Sequence, residues 1–350
     1  MFDIIKIIKF SIGKVVPEMK KLISLLLVCA LILPCVFTAA AADDGESFGA
    51  YKHVFIIGVD GAGRFIKDAD TPNFDRIFAD GAVDFNVRTE VKTDSGPNWG
   101  SMLTGVSYYQ HKIHNGNSGE EQRTSETKYP SIFTYVRRAM PEAALASFVN
   151  WNNINFGIIE TDIGVEKVRV GNDAALTDEI CAYFDAGNAP TLFFVQLDEV
   201  DAAGHSHGSD SEEYFAALHE ADGYVGRIYD ALERNGLLED GLFIVTADHG
   251  HKATGGHGRY SLRESTTTIA AAGRTVEKGG AMDAITRDRD IAAIALYALG
   301  VERPEAMTAR LPAHLFEGVA GEPRSFFKDI IDGIISPVMR LVTLLMPTDR

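Results

Sequence analysis

The segment TADHGHKATGGHG (246–258) places Asp248, His249, His251 and His257 in one glycine-studded stretch, directly behind the apolar run LFIVTA (242–247). Carboxylates and imidazoles are the ligands of divalent metals and the usual carriers of protons. A lone histidine is ordinarily a satisfied core or surface residue, and a lone aspartate after a strand is ordinarily a turn former or helix cap. The pattern recurs, however. Asp60 follows HVFIIGV (53–59), and Asp198 and Asp201 follow TLFFVQL (191–197), with His205 four residues beyond Asp201. Three strand ends that deliver carboxylates to one edge repel one another unless a cation lies among them.

A fourth segment, TDSGPNWGSMLTG (93–105), supplies an oxygen nucleophile. Ser95 stands just before a helix start expected at Pro97 or Asn98, where free N–H groups and the helix dipole favour an anion. The plainer reading of Ser95 is an N-cap. A dinucleotide loop at GVDGAG is excluded, because the GxGxxG spacing is missing and Asp60 stands where a phosphate would approach.

The elements that must position these residues are legible. Apolar runs at 53–59, 144–149, 191–197, 242–247 and 266–272 suit strands buried on both faces. Between them lie helical patterns: TPNFDRIFADG, PSIFTYVRRAM, DAALTDEICAYFDAG, SEEYFAALHEADGYVGRIYDALERNG and DRDIAAIALYALG. Alternation of strand and helix predicts a three-layer α/β/α sandwich with a mostly parallel central sheet. In such sheets ligands bind beyond the carboxyl ends of the strands, where the residues named above stand.

In this order, from about residue 53 to 305, the motifs resemble the alkaline phosphatase superfamily, and within it the type I phosphodiesterase/nucleotide pyrophosphatase branch. The resemblance rests on DG at Asp60, TPNFDRI, the segment ending SMLTG, DxxGHxxG from Asp201, ADHG at Asp248 and the later GGHG. It implies two divalent metal ions, zinc by the nature of the donors. One is expected on Asp60, Asp248, His249 and the Ser95 oxygen, the other on Asp201, His205 and His257. It further implies Ser95 as nucleophile through a phosphoserine, with Asn115 donating to a phosphate oxygen. The implied function is a metal-dependent phosphoric-ester hydrolase, a phosphodiesterase or nucleotide pyrophosphatase; the alternatives are a phosphomonoesterase or a sulfatase-like hydrolase, with a non-catalytic relative behind them. Two departures bear on substrate. Ser95 stands where that branch carries threonine, and Trp99 stands where a sulfatase needs arginine. His251 is a weak further ligand candidate; His207, Asp198 and Glu199 are assigned to shaping the pocket, and His53, His111, His114, His219 and His314 to structural roles.

Composition sets the surroundings. The 350 residues carry a formal charge of -16, which excludes a nucleic-acid-coating role and leaves metal ions to attract a small phosphate-ester substrate. Residues 1–42 read as a secretory signal peptide, with Met19 a plausible start, Lys20 and Lys21 basic, and an apolar core ending at Phe37. The alternative is an uncleaved anchor. Cleavage leaves Cys181 as the one cysteine, so no internal disulfide is expected in a secreted, extracellular or periplasmic protein. Residues 43–320 form the expected catalytic domain. Residues 321–350 read as an amphipathic helix with Pro337 within it, expected to touch a partner subunit or a membrane surface through 325–350.

Overall fold

A computed structural model describes residues 47–322 other than 91, 281 and 283–285; the signal segment and the 325–350 helix fall outside the described residues. Seven strands form one sheet: β1 (His53–Val59), β2 (Ala82–Arg88), β3 (Leu145–Val149), β4 (Glu166–Arg169), β5 (Leu192–Leu197), β6 (Gly241–Thr246) and β7 (Thr266–Ala272). Their spatial order is β2-β7-β6-β1-β5-β3-β4. β1 runs parallel to β5 and β6, with Ile56 opposite Phe194 and Ile244, and β3 is parallel to β4 and β5. Only β7 runs against its neighbours, β6 and β2. The sheet is mostly parallel, as the sequence predicts.

The period of two along each strand divides the core between the two faces. Val54, Ile56, Phe194, Leu242 and Ile244 point to one face. There they meet α2 (Ser95–Thr104), α4 (Ile132–Ala139) and α8 (Asp290–Ala298) through Trp99, Met102, Phe133 and Ile294. Phe55, Ile57, Phe193, Val195, Phe243 and Val245 point to the other. They meet α1 (Pro72–Ile77), α5 (Asp173–Asp185) and α7 (Glu212–Arg234) through Phe74, Ile180, Phe184, Tyr214 and Val225. Two shorter helices, α3 (Asn115–Glu120) and α6 (Glu199–His207), stand at the carboxyl edge of the sheet.

Three local features depart from the sequence reading. β2 and β4 are absent from the predicted strands, and both lie at the sheet margins. A margin strand needs less apolar surface, and EKVR in β4 is nowhere fully buried. The helix that carries Ser95 begins at Ser95 rather than Pro97, because Asn98 N–H already donates to the Asp94 carbonyl at 3.3 Å. Asp94 therefore occupies the cap position and Ser95 the first turn, so the N-cap alternative for Ser95 falls away. Finally, Asp201 and His205 share a helix, α6, that no apolar period announces.

Candidate metal centre

The three adjacent central strands β6, β1 and β5 end together, and an acidic residue stands just beyond each. Asp60, Asp198 and Asp248 thus meet beyond one edge. Asp60 and Asp248 are fully buried, and His249 beside them is equally closed off. His249 Nε2 lies 3.2 Å from Asp248 Oδ2 and 3.6 Å from Asp60 Oδ1. Ser95 Oγ sits 3.3 Å from the same nitrogen. One side of each carboxylate is accounted for. Asp60 Oδ2 accepts from Trp99 Nε1 at 2.8 Å and Gln196 Nε2 at 2.9 Å; Asp248 Oδ1 accepts from Gly61 N at 3.0 Å and His249 N at 2.8 Å. The other oxygens, Asp60 Oδ1 and Asp248 Oδ2, are buried and lack any hydrogen-bond partner among the described residues. Buried acceptors are almost always satisfied, so two orphaned carboxylate oxygens facing one imidazole fit a cation that supplies the missing partner.

A second group gathers around Asp201, which α6 presents from its first turn. The carboxylate of Asp173, on α5, fixes that helix start by accepting from Asp198 N at 2.9 Å and Glu199 N at 2.8 Å. Asp201 Oδ1 lies 2.9 Å from His251 Nε2 and 3.4 Å from His257 Nε2, and Asp201 Oδ2 lies 3.3 Å from His205 Nε2. The Nε2 atoms of His205 and His257 approach to 3.0 Å. The Thr93 carbonyl, 2.6 Å from His257 Nδ1, can only accept, so Nδ1 carries the proton and Nε2 presents a lone pair. Asp201, His249, His251 and His257 each offer a ligand atom within 4.8 Å of the others, as do Asp60, Asp248 and His249 in the first group. His249 belongs to both. A pair of neighbouring cation positions therefore fits the donor set.

Electrostatics carry the same message. Burial, then the Asp201 carboxylate among other influences, pushes Asp248 up to about 7, and burial with the neighbouring Asp248 pushes Asp60 well above the usual carboxylate range. Burial raises Asp198 to about 6. Burial would also raise Asp201, but the surrounding His251, His249 and His257 hold it below its ordinary value. Burial keeps His249 well below the ordinary imidazole value, hence neutral and able to ligate. A cation would reverse the carboxylate shifts.

Asn115 opens α3 and reaches Ser95 through its neighbour: its Oδ1 accepts from Gly96 N at 2.7 Å. That bond assigns the amide oxygen inward and leaves Nδ2 as the available donor. All seven metal candidates and Asn115 thus lie around one centre at the carboxyl edge. Glu199 does not join it; Glu199 Oε1 instead accepts from Asn172 Nδ2 at 2.9 Å beside the start of α5. His207 is exposed at the end of α6. His111 is buried under α2, with Ser101 Oγ 2.8 Å from Nε2 and Ile113 N donating to Nδ1 at 2.9 Å.

His251 is closer to the centre than its place in the sequence suggests, since it is wholly buried against Asp201. The room for it comes from two glycines. A Cβ on Gly204 would lie 2.4 Å from His251 Cδ2, and one on Gly61, where φ is +70°, would lie 2.8 Å from His251 Nε2. Of the donors to Asp60, Gln196 carried no sequence signal, and Trp99 stood out only as the residue in a sulfatase's arginine position, not as a donor; both sit at core positions of α2 and β5.

Known proteins share this geometry's motifs and fold. A model of the type I phosphodiesterase/nucleotide pyrophosphatase family matches residues 54–298. The GPI ethanolamine phosphate transferase 1 of Candida glabrata is 30% identical over 154 residues, covering 39% of this chain and 16% of that protein. The human bis(5'-adenosyl)-triphosphatase is 23% identical over 242 residues, covering 64% of this chain and 52% of its own. The chain therefore spans about half or less of these relatives. Among solved structures, the murine ectonucleotide pyrophosphatase/phosphodiesterase 5, as an inactive form in complex with AMP, superposes with a TM-score of 0.61 at 15% identity. That match covers 73% of this chain and 97% of the murine one, and at this identity it is a likeness of fold.

Proposed function

The chain belongs to the type I phosphodiesterase/nucleotide pyrophosphatase family, and from that premise we propose that it is a secreted, metal-dependent hydrolase of small phosphate diesters or pyrophosphates, acting through a phosphoserine at Ser95. The observation that carries the reading is Ser95 Oγ at 3.3 Å from His249 Nε2, beside two orphaned carboxylate oxygens. Asp60, Asp248, His249 and Ser95 would hold one divalent ion, and Asp201, His205 and His257 the other, with His251 fixing or joining Asp201. All donors are oxygen or imidazole nitrogen, which suits zinc. Bound there, such ions supply Lewis acidity toward phosphate oxygens and lower the pKa of a hydroxyl that binds them.

The chain's own groups do the rest. Ser95 Oγ, its proton released to solvent, attacks phosphorus; an O–P bond forms while the bond to the leaving alkoxide or phosphate breaks, and the leaving group takes the electron pair and is protonated by water as needed. Asn115 Nδ2 and the Ser95 N–H, the one first-turn N–H of α2 that neither Asn115 Oδ1 nor the Asp94 carbonyl takes up, would donate to the non-bridging oxygens as negative charge grows there. Water then cleaves the phosphoserine and returns the hydroxyl. Ser95→Ala tests the reading. Turnover should fall by a factor of about a thousand or more, while metal content and the melting transition stay near those of the parent. Activity retained at more than a few per cent would discard the covalent route.

A second reading, monoester hydrolysis, is favoured by one observation. A Cβ at Gly256 would lie 3.7 Å from Lys252 Nζ and 3.9 Å from His205 Nδ1, so a cation stands beside the second metal group. A monoester brings an extra negative charge for it to balance. Rates on bis-p-nitrophenyl phosphate and p-nitrophenyl phosphate, measured side by side with the parent and Lys252→Ala, separate the two: a monoester preference lost in the variant establishes the second reading.

A further inference from the structure

A cleft of about 390 Å³ opens beside the turn that leads into Asn115, lined among others by Tyr109, His111, Lys112, Arg123, Lys128 and Tyr129. Its volume lies in the range of small-molecule sites. Its charge is out of character for the protein. In a chain of net charge -16 it gathers three cations, and no carboxylate lines it among the described residues.

Several cations elsewhere have acidic partners, Lys52 with Asp240, Arg76 with Asp230, Lys278 with Asp80 and Arg289 with Glu90, and others, such as Arg137 and Lys167, donate to backbone carbonyls. None of Lys112, Arg123 and Lys128 is ion-paired to a described carboxylate. Arg123 is the clearest case. Its Nη2 donates to the Tyr129 carbonyl at 2.7 Å, but its Nε is buried without an acceptor among the described residues. Burial lowers its pKa, and the Glu160 carboxylate opposes that only from a distance. Glu160 directs its oxygens to Ser131 N at 2.8 Å, Ser131 Oγ at 2.5 Å and Thr134 Oγ1 at 2.9 Å. A half-buried guanidinium without its own counter-charge favours an anion arriving from outside.

Two further observations give the ligand a shape. Lys112 has φ of 57°, a left-handed backbone that glycine or asparagine adopts far more readily, so a lysine is held at the cleft wall in a strained conformation. Aromatic surface lies beside the charge: Tyr109 is 44% exposed, and Lys128 Nζ stands 5.1 Å from the centroid of Tyr129. Lys112 and Asn115 are three residues apart, so their Cα atoms are separated by at most about 11 Å.

We infer that this cleft is a second anion-binding site, next to the metal centre but separate from it, and that it takes a small organic phosphate or phosphonate bearing an aromatic ring. The cations receive the anionic head and the tyrosine faces receive the ring. Because the site contains no metal ligand and no reacting group, it stands or falls independently of the Ser95 chemistry.

Phenylphosphonate, which has no ester bond to cleave, is the probe. It is titrated calorimetrically into the full chain, as purified and after dialysis against EDTA. One binding event should survive chelation, weaken as salt rises, and weaken at least tenfold in the Lys112→Gly/Lys128→Ser double variant. Lys112→Gly relaxes the left-handed backbone while removing the charge, so the fold is kept. Inorganic phosphate should bind this site several-fold more weakly than phenylphosphonate, and the exposed Tyr109→Ala should erase the difference. Absence of saturable binding after chelation, or binding that ignores the double variant, overturns the site. Equal affinity for the two probes overturns its aromatic half.

Discussion

Trp99 Nε1 donates to Asp60 Oδ2 at 2.8 Å, and this bond ties α2, the helix that carries Ser95, to the end of the central strand β1. It does two things at once. It fixes which oxygen of Asp60 is left facing His249, and it sets the height of Ser95, one turn earlier on the same helix.

Trp99→Phe keeps most of the buried ring and loses the donor. Divalent-metal affinity should fall by about 10–100-fold, the usual effect of removing a group that orients a ligand. The melting temperature of the metal-free protein should move little by comparison. Competition with a chromogenic chelator measures the first quantity, and thermal melts in EDTA the second.

The indole also depends on a bare backbone beneath it. A Cβ on Gly58 would stand 2.3 Å from Trp99 Cη2 and 3.1 Å from the Val195 carbonyl oxygen. Gly58→Ala should therefore force the ring out of place and destabilise the fold by about 1–3 kcal/mol. The loss should shrink in the Gly58→Ala/Trp99→Leu double variant, since the clash partner is gone; urea titrations of the four proteins close the cycle.

Metal binding should release protons and tighten as pH rises. Without metal, burial holds Asp248 at about 7, and burial with the neighbouring Asp248 raises Asp60 in the same direction. Both must ionise to ligate, so affinity should fall by up to about tenfold per pH unit per proton displaced below about pH 7. Calorimetry of zinc binding in buffers of differing ionisation enthalpy counts those protons. Exhaustive chelation should abolish turnover and added zinc should restore it.

His111 supplies an acid-stability prediction away from the metals. Burial depresses it to about 3, against an ordinary value of 6.5. Being neutral in the fold and protonated in the unfolded chain, it contributes stability that is complete above about pH 6.5 and is lost as pH falls toward 3, at up to roughly 1.4 kcal/mol per unit. His111→Gln can still accept from Ile113 N and donate to Ser101 Oγ. Its melting temperature should fall less steeply than the parent's over that window.

What the chain determined by itself was local. The five runs that became β1, β3, β5, β6 and β7 are apolar along most of their length, because strands covered on both faces have no polar side to show. The aspartates at their ends stand out because a carboxylate directly behind such a run is carried to the rim of a buried sheet, where its charge needs a partner. The four-residue spacing of Asp201 and His205 was visible as well, although no apolar period marked the helix that carries them. What the tertiary structure decided depends on neighbours in space. That β6, β1 and β5 lie side by side, so that Asp60, Asp248 and Asp201 converge, follows from the crossover connections and not from any residue type. Gln196 reaches Asp60 across 136 positions of sequence, and His251 reaches Asp201 across 50, through a gap that Gly61 and Gly204 leave open. The basic cleft beside Asn115 is of the same kind. Tyr109, Lys112, Arg123 and Lys128 are unremarkable in order along the chain, and only the folding of one surface loop against α2 leaves their charges together without a counter-ion.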